Sequence, residues 1–271
     1  MKNKIKLVDS TFSHSILGYC SDFQKSKNFV WDRDVSNITD EDLIVYTDSR
    51  LYESKNAKNS IAWLIEPIDI YEESYRFIEK NNDKFYKVFT HEKTLLDQKY
   101  NYEFLPFGCC WIYEYDHKIY KKNKNISIIS SEKTHTKGHQ LRHEVITKFN
   151  DYIDVYGRKY NPIDYKLDGL KDYRFQIVIE NTKRDYWFSE KLIDCLVTGT
   201  IPIYWGCPSI GDFFDLNGFI IFDKIEDLND IIPSLNEINY QSKIESVENN
   251  FLLSKKYILP DELLYKKLKK I

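Results

Sequence analysis

"SEKLIDCLVTGTIPIYWG", Ser189 to Gly206, joins a polar start, an apolar stripe, a glycine and a dense apolar run. Leu192, Ile193, Leu196 and Val197 recur at i, i+1, i+4 and i+5, which puts them on one helical face. Ser189 is of the type that caps a helix start, and Gly199 stands where a left-handed C′ residue ends one. "TIPIYW" then reads as a short strand, with Pro202 tolerated near its beginning or at an edge. Upstream, "YRFQIVIEN" (173–181) alternates and then runs apolar, as a strand does. Strand, loop "NTKRDYWF", helix and strand make a βαβ unit of a parallel sheet. Such sheets bind ligands at the carboxyl ends of their strands, beside helix N-termini. Glu190 and Lys191 fall in the helix's first turn, where free N–H groups and the dipole favour an anion. The lysine adds a full positive charge, and the carboxylate can accept hydrogen bonds from a sugar diol. Taken alone, the pair reads rather as an ordinary exposed ion pair at a helix start, so the rest of the chain has to decide.

"KIKLVDS" (4–10), "DLIVYTDS" (42–49) and "IAWLIEP" (61–67) read as strands of an N-terminal α/β region, with Glu66 at the end of the third. "IYEESYRFIEKN" (70–81) is an amphipathic helix, and "KVFTHEKTLLDQ" (87–98) gives strand then helix. The lysine-rich "DHKIYKKNKN" (116–125) is the linker candidate. A second series follows with "ISIISS", "HQLRHEVITKFNDY" and "IDVYGR". The expected architecture is therefore α/β in two domains, 1–120 and 121–271.

Thirty-nine Lys and Arg against 42 Asp and Glu leave a net charge of −3, so no global basic field points to nucleic acid. Five cysteines without repeated CxxC spacing argue for a reducing compartment, with Cys109 and Cys110 as packing residues. No run of 18 apolar residues and no signal-peptide pattern is present, so the expectation is a cytoplasmic protein. The C-terminal "DELLYKKLKKI" sets Leu264, Leu268 and Ile271 opposite lysines. It reads as a helix packed on a lobe, with weak peripheral contact to a membrane surface as the alternative.

With these pieces placed, the chain resembles glycosyltransferase family ten, the α1,3/α1,4-fucosyltransferases. "YRFQIVIENT", "DYWFSEKLIDCLVTGTIPIYWGCPS", "IDVYGR" and "SSEKTHTKGHQLRHEVI" follow the family's motifs in the family's order. "AWLIEP" is similar to the segment that carries the family's proposed general base. The pattern departs at Trp187, which stands where the family has a tyrosine, with Tyr186 one residue earlier. "EP" also replaces "ESP", and the first 55 residues align with no motif of the family.

The resemblance implies a GT-B-like fold, two Rossmann-like lobes with the active site in the cleft between them. The N-terminal lobe would face the acceptor and the C-terminal lobe would bind the nucleotide-sugar donor. The reaction implied is inverting, metal-independent transfer of fucose from GDP-fucose to a hydroxyl of an oligosaccharide acceptor. Lys191, Arg158 and Arg142 would neutralise the departing diphosphate, helped by the helix start at Ser189. Glu190 would hold ribose or sugar hydroxyls, with Asn181, Tyr186 and Trp187 as further donor contacts. Glu66 would take the acceptor's proton; Asp48 and Glu92, which also follow expected strands but sit in no motif resembling the family's, are next in line. Each has a plainer rival: Asn181 as a strand end, Arg142 as a paired helix residue, Arg158 as a surface arginine and Glu66 as a turn cap. Two other functions stay open, transfer of a different sugar from a GDP- or UDP-linked donor and an inactive glycan-binding module. No cofactor or metal is expected. Asp32 and Asp34 of "DRD" read as a surface turn, and His135, His139 and His143 lack a helical start that would align them.

Overall fold

A computed structural model describes residues 3–9, 25–39, 41–54, 57–98 and 100–270. The chain divides into two compact units, each built on a parallel sheet. The first unit holds the residues up to Phe107, together with Asp185–Trp187 and the residues from Leu259 on. The second holds Gly108–Arg184 and Phe188–Ile258.

In the first unit the strands are β1 (Asn3–Val8), β2 (Phe29–Asp32), β3 (Ile44–Thr47), β4 (Ser60–Trp63), β5 (Lys87–Thr90) and β6 (Tyr102–Phe104). They run in the order β2-β1-β3-β4-β5-β6, with every neighbouring pair parallel. Ile44, Tyr46, Ala62 and Val88 pack with Tyr75 and Ile78 of helix α1 (Glu72–Asn81). Val45, Ile61, Trp63 and Phe89 alternate with them and are also buried, so the sheet is covered on both faces, as parallel sheets require. A one-turn helix, α2 (Lys93–Leu96), follows β5.

The second unit runs β7 (Lys124–Ile129), α3 (Lys137–Phe149), β8 (Asp154–Tyr156), β9 (Tyr173–Ile179), α4 (Glu190–Leu196), β10 (Ile201–Trp205) and β11 (Ile220–Ile221). Helices α5 (Leu228–Ser234), α6 (Glu237–Gln241) and α7 (Ile244–Ser254) complete it. The strand order is β11-β10-β9-β7-β8, again all parallel. Phe175, Ile177, Ile179, Ile201 and Ile203 join Val145 and Phe149 of α3 in one core. Val178 and Tyr204 turn the other way, onto Leu192, Ile193 and Leu196 of α4. The expected βαβ unit is therefore present, with β9 beside β10 and Ile177 opposite Ile203. Gly199 adopts φ +69° just past α4, a conformation that glycine reaches without a Cβ penalty.

The expected break at residues 120/121 is not where the units part. Tyr120 N–H donates to the Thr198 carbonyl, and Lys124 already opens β7. Lys122 is 8 % exposed. Its Nζ donates to the carbonyls of Leu170, Lys171 and Thr198 and to Thr200 Oγ1, at 2.8–3.3 Å. The lysine-rich stretch is thus part of the second unit, and the boundary lies at Phe107/Gly108.

The expected C-terminal lobe also loses its last helix. Helix α8 (Pro260–Leu268) belongs to the first unit, with Leu264 and Tyr265 buried and Tyr265 stacked on Phe29 at 5.2 Å. Trp31 Nε1 donates to Asp261, Glu262 accepts from Ser26 and Asn28, and Lys267 pairs with Glu103 at 2.7 Å. Among the described residues no helix is long and apolar enough to cross a membrane. Cys109 is disulfide-bonded, contrary to the expectation of packing thiols throughout; Cys110, Cys195 and Cys207 do carry buried thiols.

Candidate active site

At the carboxyl end of β9 the chain leaves the sheet at Glu180 and Asn181, and helix α3 begins against it. Gly138 N–H donates to the Asn181 carbonyl at 3.0 Å. A Cβ at Gly138 would lie 1.7 Å from the Glu180 carbonyl oxygen, so only glycine permits this approach. The Glu180 carboxylate is fully buried and accepts from Ser189 N–H (2.9 Å) and Ser189 Oγ (2.5 Å). Burial raises its pKa, against the pull of Lys191 and of the Ser189 hydrogen bonds. Ser189 in turn caps α4, accepting from the Lys191 backbone N–H at 3.4 Å and from Lys191 Nζ at 3.1 Å.

From this cap a ladder of alternating charge runs along α4. Lys191 Nζ lies 3.9 Å from Glu180 and 3.2 Å from Glu190. Lys166 Nζ continues it, 3.5 Å from Glu190 and 2.9 Å from buried Asp194, over the Trp111 ring at 4.5 Å. Burial works against ionised Glu190, but Lys191 and Lys166 together hold its carboxyl well below the usual range. Burial likewise pulls against charged Lys166, and Asp194 and Glu190 outweigh it and raise the pKa.

Arg142, on α3, is buried and donates from Nη2 to Asn181 Oδ1 at 2.6 Å. Its Nε is also buried and meets no partner among the described residues. A buried guanidinium N–H without an acceptor is a costly arrangement that a bound anion would relieve. Arg158, after β8, is exposed and forms no ion pair among the described residues. The second unit therefore gathers Arg142, Asn181, Ser189, Glu190 and Lys191 around the end of β9, with Arg158 at the end of the edge strand.

Glu66 lies in the first unit, three residues past β4 and half-buried. Its backbone carbonyl accepts from Tyr75 Oη at 2.8 Å. Asp48, 2 % exposed, accepts from Ile65 N–H at 2.9 Å and also from the Glu66 N–H. Burial pushes the Asp48 carboxyl well up, so as an alternative base it lacks access to solvent. Glu92 caps α2, accepting from Thr94 N–H and Oγ1.

Trp187 is anchored in the first unit, where its indole is 2 % exposed and donates to the Ile65 carbonyl at 3.1 Å. Tyr186 is half-buried at φ +61°, with its ring 5.4 Å from Phe104. This backbone conformation is uncommon for a bulky residue.

Sequence reasoning passed over Glu180, Lys166 and Asp194 as site residues. Only a carboxylate at a strand end, Glu180, left any local signal. Among the described residues no three His, Cys, Asp or Glu side chains are grouped to hold a metal. His139 closes a capping box with Thr136, and His143 contacts Tyr160 Oη and the Lys133 carbonyl. Asp32 ends β2 and pairs with Lys6 at 3.0 Å.

A family model described as glycosyltransferase family 10 (fucosyltransferase) C-term matches residues 119–246. A putative fucosyltransferase-like protein of Arabidopsis thaliana is 30 % identical over 112 residues, 40 % of this chain and 21 % of that protein. An α-(1,3)-fucosyltransferase of Helicobacter pylori is 33 % identical over 75 residues, 28 % of this chain and 15 % of that one. The matched stretches thus span about a fifth or less of these relatives' own lengths. A solved α1,3-fucosyltransferase superposes with TM-score 0.58 at 18 % identity, over 90 % of this chain and 80 % of the other. Another, solved with GDP, gives 0.56 at 15 %, over 94 % and 90 %. At these identities the likeness shows the fold, two parallel-sheet α/β units of the GT-B-like kind. Residues 119–246 of this chain are therefore similar to the C-terminal domain of glycosyltransferase family 10, the fucosyltransferases.

Proposed function

We propose that the chain transfers fucose from GDP-fucose to a hydroxyl of an oligosaccharide acceptor, with inversion at the anomeric carbon and without a metal ion. The observation that carries the reading is buried Arg142, held by Asn181 at the end of β9 with its Nε meeting no partner among the described residues. It stands in the part of the chain that matches the fucosyltransferase family, and solved fold neighbours hold GDP and GDP-fucose. In this reading Arg142, Lys191 and Arg158 meet the diphosphate, and Lys191 exchanges carboxylate for phosphate contacts. Glu190, kept ionised by its two lysines, accepts from donor hydroxyls. Glu66 removes the acceptor's proton as that oxygen attacks the anomeric carbon, and the electron pair of the broken bond leaves with GDP. Basic side chains supply the counter-charge that a metal gives in other transferases.

Buried Trp187, in place of the family's tyrosine, favours a second reading, transfer of a different sugar on the same scaffold. A thermal-shift panel tests both. GDP raises Tm more than UDP or CDP, GDP-fucose raises it at least as much as GDP-mannose, and EDTA leaves turnover intact. Equal shifts for all nucleotides, or a requirement for manganese, contradict the proposal; preference for another nucleotide sugar selects the second reading.

A further inference from the structure

The backbone N–H and C=O groups of Ile65 and Glu66, which follow β4, are fastened by side chains. Asp48 accepts from the N–H of Ile65 (2.9 Å) and of Glu66. Trp187 Nε1 donates to the Ile65 carbonyl (3.1 Å) and Tyr75 Oη to the Glu66 carbonyl (2.8 Å). Tyr75 Oη also lies 3.4 Å from Nε2 of buried His91. The three holding residues come from three distant parts of the sequence: the turn after β3, helix α1 and the Asp185–Trp187 segment.

Asp48 bears a cost for this role. It sits at φ +39°, where a non-glycine residue is uncommon, and its carboxyl is removed from water. Replacing these groups by water would leave the loop free to rotate the Glu66 peptide, and with it the direction of the carboxylate. We propose that Asp48, Trp187 and Tyr75 are positioning residues that aim Glu66, with Asp48 as the central member. The proposal rests on Glu66 as the base of the transfer reaction.

The buried Asp48 acts through an oxygen that accepts, so an amide can replace it. Asn also tolerates positive φ, and Gly relieves that strain while removing the acceptor. Asp48→Gly should therefore lower kcat by about 10–100-fold, the usual scale for a displaced catalytic group. KM for the donor should stay near the wild-type value, while Asp48→Asn retains most of kcat. Trp187→Phe, which keeps an aromatic ring but removes the N–H donor, should lower kcat in the same way. In a Glu66→Gln background, Asp48→Gly should add no further loss, because no base remains to be aimed.

Amide hydrogen exchange gives a readout independent of activity. Asp48→Gly should speed exchange at Ile65 and Glu66 by about tenfold or more and leave Ile61–Trp63 protected, and Asn should restore the protection. Unchanged exchange at Ile65 and Glu66, or a full additional loss of kcat in the Gln background, overturns the clamp. Inactive Asp48→Asn also overturns it, by making Asp48 itself a proton-transfer group. A wild-type chain that does not turn over GDP-fucose contradicts the function instead, and the exchange experiment still decides whether Asp48 holds the loop.

Discussion

Lys191 shares its charge with Glu190 at 3.2 Å and Glu180 at 3.9 Å before any phosphate arrives. Its removal should leave those carboxylates facing the diphosphate, so Lys191→Ala combines a lost attraction with an uncovered repulsion. GDP affinity should fall by on the order of tenfold to a hundredfold, the range for a charge-assisted contact. Calorimetric titration checks this, and unchanged affinity returns Lys191 to an ordinary ion pair. The adjacency of Glu190 and Lys191 was legible because one helical turn brings both to the same place. Their partners Lys166 and Asp194 were not, because Lys166 reaches α4 from a turn 24 residues upstream of Glu190 in sequence, with no motif to mark it. Trp187 was placed by pattern at the donor, yet its N–H is held by a carbonyl 122 residues away.

Lys122 shows the same limit at the scale of elements. Lysine-rich sequence ordinarily means a solvated stretch, and that expectation produced a linker at 116–125. The Nζ of Lys122 instead meets the carbonyls of Leu170 and Lys171, just before β9, and of Thr198, just past α4. Burial draws its pKa down from the ordinary 10.5 to about 7, against the opposing pull of Cys195 and Asp172. The sign follows from proton counts. Between pH 7 and 10.5 the unfolded chain binds this proton and the folded chain does not, so stability rises with pH across that window. Lys122→Met removes this dependence. In urea unfolding the stability gap between wild type and variant should widen from pH 7 toward pH 10; parallel profiles would show that Lys122 stays charged in the fold. Three strands of two to four residues, β2, β6 and β11, escaped the sequence reading.

For the whole molecule, two parallel α/β units were legible because each sheet's central strands are apolar runs followed by polar turns, as in "IAWLIEP" and "YRFQIVIEN". The division between the units was not. Asp185–Trp187 and the last helix return to the first unit through contacts such as Trp187–Ile65 and Tyr265–Phe29, which composition does not encode. The central claim is that Glu66 is the base of a fucosyl transfer whose donor is held by residues of the family-matched domain. Glu66→Gln tests it most directly, with turnover followed as GDP release from GDP-fucose across a panel of oligosaccharide acceptors in EDTA. The amide keeps the shape but cannot take a proton at neutral pH. The account predicts an unchanged Tm, unchanged GDP affinity and a kcat lower by about 10²–10⁴-fold. A lowered Tm with kcat per folded molecule near that of the wild type would contradict it.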